Sequence, residues 1–183
     1  YAFYGCEKLT GTLTLPEGLS SIGIGAFQGC RDLGGSLTFP NSLTTIKERA
    51  FMGCEKLTDN LRFGVHVTTI GKYAFRDCIG LNGNLNITDS YDGQKSSQIS
   101  IHEGAFYGCK NLKGDINLPL RCQLKENGAD SKNVFKGCSG FDGQLIIPDV
   151  ITTIPDGTFC DCSSINGQLK NNLKLINVLT NTI

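Results

Sequence analysis

Seven times along the chain a short block built around a phenylalanine and a cysteine returns, and four of the six intervals between those cysteines are 24 residues. The blocks open with Tyr1-Ala2-Phe3-Tyr4-Gly5-Cys6 and Gly25-Ala26-Phe27-Gln28-Gly29-Cys30, then recur at Cys54, Cys78, Cys109, Cys138 and Cys162. A fixed period of this size predicts a solenoid, in which each repeat is one coil that buries its apolar side only against its neighbours. The functional question moves with it, from a pocket to a surface.

Aligned on the cysteine, each repeat assigns the same roles to the same positions. Three residues after Cys comes an apolar residue (Leu9, Leu33, Leu57, Leu81, Leu112, Phe141, Ile165), and two further on a turn residue such as Gly11, Gly35 or Asp59. A short alternating stretch follows, for example Leu37-Thr38-Phe39-Pro40, which reads as a strand with one buried face closed by a proline. A second apolar stretch, such as Leu43 and Ile46, leads into the Ala-Phe pair. Each coil is therefore expected to hold two short extended segments joined by tight turns. Identical positions stack into columns, and Phe3, Phe27, Phe51, Phe75, Phe106, Phe135 and Phe159 form the bulkiest, using seven of the ten phenylalanines.

A chain with 17 basic and 17 acidic residues has no electrostatic footprint for nucleic acid or an anionic membrane. No apolar run approaches the roughly 20 residues of a helical span, so no membrane insertion is expected. The 23 glycines recur at fixed repeat positions and read as turn residues, not linker. Residue 1 falls inside a repeat, so the chain is expected to be a piece of a longer array.

These residues resemble the BspA-like, or Treponema pallidum type, leucine-rich repeats, whose coils run Cys-x-x-Leu-x-x-Ile-x-Leu-Pro-x-x-Leu-x-x-Ile-x-x-x-Ala-Phe. Cys30 to Phe51 follows that pattern, with Leu33, Leu37, Phe39, Pro40, Leu43, Ile46, Ala50 and Phe51 in place. One extra residue at Gly34-Gly35-Ser36 and its counterparts is the systematic departure. The resemblance implies a right-handed, β-rich solenoid of about seven coils over residues 1–169, with 170–183 a degenerate repeat or C-terminal cap. It also implies a surface or secreted, extracellular binding protein of the adhesin kind, and no catalytic residues.

The seven column cysteines read as a reduced packing column, since a small buried residue is needed at that position in every coil. Cys122 and Cys160 stand outside the column, and with Cys162 are the only candidates for redox chemistry. No Cys-x-x-Cys pair exists and only His66 and His102 could assist, so no metal is expected. Gly23-Ile24-Gly25 lacks the following helix that a dinucleotide loop needs, so no cofactor is expected either.

Two adjacent coils break the period. Cys78 to Cys109 spans 31 residues and Cys109 to Cys138 spans 29, with the additions placed at Asp89 to Gln98 and Leu120 to Lys132. Inserted loops on one face often form the binding face of a repeat protein, which makes Tyr91, Lys95, Arg121 and Lys125 candidate partner contacts. A second candidate surface comprises the variable residues before Ala-Phe: Lys47, Glu48 and Arg49, then Lys72 and Tyr73, then His102 and Glu103. The hydroxyl row Ser21-Thr45-Thr69-Ser100-Thr153 raises an ice- or crystal-binding alternative, which the other candidate row, Thr12-Ser36-Asn60-Asn84-Asp115, is too mixed to support well. Asn86-Ile87-Thr88 is a glycosylation sequon if the source secretes through a eukaryotic pathway. The expectation is a non-enzymatic module that binds protein or glycan. The alternative is a structural module of a larger assembly that associates through uncapped ends.

Overall fold

The computed structural model describes residues 1–87, 90, 91, 96–126 and 128–165. Two parallel ladders run along the molecule. The Leu-x-Leu stretches form β1 (Gly11–Thr14), β3 (Leu33–Thr38), β5 (Leu57–Arg62) and β7 (Leu85–Asn86), hydrogen-bonded in that order. The second apolar stretches form β2 (Ser21–Ile22), β4 (Thr45–Ile46), β6 (Thr69–Ile70), β10 (Ile99–Ile101) and β12 (Cys122–Gln123). Side chains alternate as a two-residue period demands: Leu37 and Leu61 are buried while Thr38 and Arg62 face out. No helix occurs among the described residues.

The stretch that carries the extra residue of each repeat is irregular in the ladder. Pairing runs Thr12↔Gly34 and then Thr14↔Thr38, and again Ser36↔Thr58 and then Thr38↔Arg62, so the ladder register slips at the same place in successive coils. This is a bulge, which absorbs added residues by bending the strand and leaving the buried positions in phase.

The Phe column is continuous. Its seven rings stack from Phe3 to Phe159 with centroids 5.2 to 5.6 Å apart and planes within 9° of parallel. Backbone bonds bind the same turns together: the amides of Phe51, Phe75, Phe106 and Phe135 donate to the carbonyls of Ala74, Ala105, Val134 and Thr158 in the following coil, at 2.8 to 2.9 Å. Beside them the thiols of Cys54, Cys78, Cys109 and Cys138 donate to the carbonyls of Phe27, Phe51, Phe75 and Phe106, at 3.0 to 3.1 Å. All nine cysteines are free thiols. These three columns of ring, amide and thiol explain why Phe and Cys recur together: one fills the coil, and the other is a small group that both packs and donates.

The expected count of about seven coils is corrected. Regular geometry extends over four turns, those of β1, β3, β5 and β7. Beyond them a single parallel bridge, Asn84 with Lys113, crosses to the next coil, and the first ladder resumes as a separate pair, β11 (Ile116–Asn117) with β15 (Leu145–Ile146). The physical reason lies in the added residues of the fourth and fifth coils. Each addition forms its own antiparallel pair: β8 (Ser90–Tyr91) with β9 (Ser96–Ser97), and β13 (Lys125–Glu126) with β14 (Ala129–Asp130). Residues 170–183, assigned above to a degenerate repeat or cap, lie outside the described residues. Cys122, set apart from the cysteine column in the sequence, is buried in the core at β12.

Candidate functional site

In every coil the turn that enters the Ala-Phe pair needs a residue with left-handed backbone. Glycine fills it at Gly25, Gly104 and Gly157, with φ of 55°, 57° and 65°. Arg49 and Tyr73 occupy the equivalent position at φ 55°, which costs an L residue about 1–2 kcal/mol. A bulky residue held there against its preference is an observation from which a functional role can be argued. Its side chain is accommodated by the next coil: a Cβ on Gly104 would run into the Tyr73 ring.

Around Tyr73 the third and fourth coils assemble a connected cluster. The Tyr73 hydroxyl donates to Glu103 Oε1 at 2.7 Å, and Lys72 Nζ meets Glu103 Oε2 at 2.6 Å. Lys72 Nζ lies 5.3 Å from the centre of the Tyr73 ring. The Arg76 guanidinium lies 5.4 Å from the Tyr73 ring centre and 4.8 Å from that of Tyr107, in cation–π range of both. Its Nε donates to Asp77 Oδ2 at 3.1 Å. The electrostatics follow from these contacts. Lys72 first, and the Tyr73 hydroxyl second, hold the Glu103 carboxyl below its ordinary range. The same hydrogen bond to Glu103, with burial, pushes the Tyr73 phenol up. Glu103 is thus an anion and Tyr73 a neutral donor throughout the neutral range.

Of the candidate contacts read from the sequence, Lys72, Tyr73 and Glu103 are brought together here. They are half-buried because they interlock, as is Arg49, whose guanidinium meets Glu48 at 3.3 Å, while Lys47 is exposed. His102 is half-buried beside Glu103. Sequence reasoning missed Arg76 and Tyr107. The signal was present: both stand two residues before the column cysteine, so they belong to one outward column with Gln28, Met52 and Lys136.

The second inserted segment ends beside this cluster, where the Lys132 carbonyl accepts from the Gly104 amide at 3.0 Å. Arg121 and Lys125 are exposed, Lys125 paired in register with Asp130 across its hairpin. Tyr91 falls in β8, opposite Ser96, and Lys95 lies outside the described residues. Where the first ladder stops, a groove of about 450 Å³ opens between coils, floored by Leu85, Ile87, Leu118 and Pro148 with Asn86 and Asn117 on it and Leu120 at its edge. The sequon residue Asn86 is exposed there, and Thr88 lies outside the described residues. The mixed row, read above as a poor ice-binding face, is used by the scaffold: Asn60 Oδ1 accepts from the Asn84 amide at 2.8 Å, and Asp115 Oδ1 from the Gln144 amide at 2.7 Å.

Parallel ladders, a stacked Phe spine and a 24-residue coil define a β-solenoid of the leucine-rich-repeat class. Residues 1–92 and 93–179 match the BspA type leucine rich repeat region, with 6 copies, and the chain belongs to that family. Among solved structures it is similar to a leucine-rich repeat protein from Bacteroides ovatus, with TM-score 0.73 and 24% identity over 95% of this chain and 40% of that one. It is also similar to the Treponema pallidum leucine-rich repeat protein, with TM-score 0.69 and 24% identity over 98% of this chain and 73% of that one. These likenesses show the fold. The chain spans 40% of the length of the Bacteroides ovatus protein. No match was found among curated proteins.

Proposed function

We propose that the chain is a non-enzymatic binding module of an extracellular or cell-surface array, and that the turn face of the third and fourth coils is a recognition surface for protein or glycan. The observation that supports this reading is the cluster of Lys72, Tyr73, Arg76, Glu103 and Tyr107. Tyr and Arg are the residue types that dominate interface energetics. Here they are held by ion pairs and ring contacts before any partner arrives, which lowers the ordering cost of binding. The left-handed backbone at Tyr73 agrees, because glycine fills the same turn position at Gly25, Gly104 and Gly157.

The test is binding of the chain to an array of purified glycans and extracellular-matrix glycoproteins, compared with a Tyr73→Ala, Tyr107→Ala double variant that melts like the parent. Binding that falls at least about tenfold in the variant supports the assignment. Binding that is equal in both places the recognition surface elsewhere, and no binding by the parent removes the proposal.

A further inference from the structure

One side chain in the cluster has donors to spare. Arg76 uses Nε on Asp77, and its position is set by the Tyr73 and Tyr107 rings. Among the described residues its two terminal nitrogens take no hydrogen bond, and neither does the Tyr107 hydroxyl. Lys72 and Tyr73 are in the opposite condition, both committed to Glu103. The free edge of a guanidinium held in place by flanking rings is a fork for a planar two-oxygen anion, and a phenol from the adjacent coil supplies a third donor.

The chemistry of the occupant follows from what surrounds the fork. Lys72 with Glu103, Arg76 with Asp77, and the nearby Lys132 with Asp156 pair off, so the patch holds no excess positive charge that would gather a polyanion or favour a dianion over a single carboxylate. Among the described residues, the exposed large aliphatic side chain nearest the cluster in sequence is Ile79, three residues after Arg76, while Ile24, Val65, Leu120 and Val150 lie farther along the chain. A protein epitope would meet one aliphatic side chain at most, short of the apolar centre that protein interfaces bury. A hydroxylated ring bearing one carboxylate meets only groups it can use. We infer that Arg76 and Tyr107 form a receptor for the carboxylate of an acidic sugar, a uronic or sialic acid residue of a glycan. This rests on the reading of the turn face as a recognition surface.

The experiment titrates the chain with a glucuronate-containing disaccharide, its neutral glucose counterpart and a triglutamate peptide, following the Arg76 Nε–H resonance and the heat of binding. The uronate is expected to bind at least about tenfold more tightly than the neutral sugar, because the analogue leaves the fork unpaired. Arg76→Lys keeps the charge but not the fork and should cost about tenfold, while Tyr107→Phe keeps the ring and should cost about threefold. Both variants should melt with the parent, and if one does not, the other still decides. Equal binding of the two sugars, no loss in either folded variant, or peptide binding as tight as the uronate overturns the inference. If the array shows Tyr73- and Tyr107-dependent binding of a neutral ligand, the recognition surface stands and the carboxylate receptor falls. If the array shows no dependence on this face, both fall.

Discussion

The first three coils and the two that follow solve the same packing problem with different lengths of chain. From Cys6 to Cys78 every interval is 24 residues, and both ladders run in register. From Cys78 to Cys138 the intervals lengthen, and the first ladder breaks between β7 and β11. The bonds that continuing the pattern would place from the Leu85 and Ile87 amides to the Asp115 and Asn117 carbonyls are not formed among the described residues, whereas the Ile116 and Leu118 amides do reach Gln144 and Ile146. Yet the ring stack passes through the break, with Phe75, Phe106 and Phe135 at 5.6 and 5.4 Å. The spine of Phe rings, turn amides and thiols holds the coils together, and the strand row is where added residues are tolerated. Side chains on the outside of the spine can therefore form connected clusters, as around Tyr73, while the ring stack beneath them stays continuous.

The largest expected effect tests whether the spine is equally strong in both regions. Phe75→Ala and Phe135→Ala, both fully buried, should each cost about 3–5 kcal/mol in chemical denaturation. A loss below about 1 kcal/mol at Phe135 alone would mean that the spine weakens with the sheet.

Next comes pH. Burial, with the neighbouring Cys30 adding to it, pushes the Cys54 thiol up to about 12, and burial does the same at Cys109, against an ordinary value of 9.0. The folded thiols keep their protons above pH 9 while the unfolded ones release theirs, so the unfolded state binds fewer protons and stability falls as pH rises from 9 towards 12. Each such thiol contributes a slope of up to about 1.4 kcal/mol per pH unit. Thermal unfolding at pH 7, 9 and 10.5 measures it, with Cys54→Ala and Cys109→Ala flattening the curve by similar amounts if both regions share one spine.

A smaller effect is expected from restoring the period. Removing seven residues between Ile87 and Ile99 returns that interval to 24 and should let β7 pair with β11, at about 0.5–1.5 kcal/mol for each bond gained. Amide protection appearing at Leu85 and Ile87 is the readout. A variant that folds with those amides still open would show that the break has another cause.

The smallest change separates strain kept for the fold from strain kept for the surface. Arg49→Gly relieves a left-handed residue whose one ion pair is exposed and should gain about 0.5–1 kcal/mol after the entropic cost of glycine. Tyr73→Gly relieves the same strain but forfeits the Glu103 bond and the Arg76 contact, and should lose stability. Equal gains at both positions would argue that the Tyr73 cluster contributes nothing to the scaffold.

Much of this was legible in the sequence because a stacked coil repeats its requirements. The Phe and Cys columns, the Leu-x-Leu strands and the position of the added residues follow from spacing alone. Column membership was also enough to place Lys72, Tyr73 and Glu103 on one outward face. What spacing could not supply was contact between columns. Arg76 belongs to a different column from Tyr73, and only the pitch and bend of the turn bring its guanidinium against that ring and the Tyr107 ring. The ladder break was hidden for a related reason: a lengthened interval shows where residues were added, not which hydrogen bonds they displace. Glycine at 104 was readable only as a turn residue, while its second role, leaving room for Tyr73, depends on the neighbouring coil.

Native-state hydrogen exchange tests the central claim most directly. The Phe51, Phe75, Phe106 and Phe135 amides should show one common, high protection, with Leu85 and Ile87 exchanging far faster between them. Protection that falls at Phe106 and Phe135 in step with the broken ladder would contradict a spine that carries the solenoid through its irregular coils.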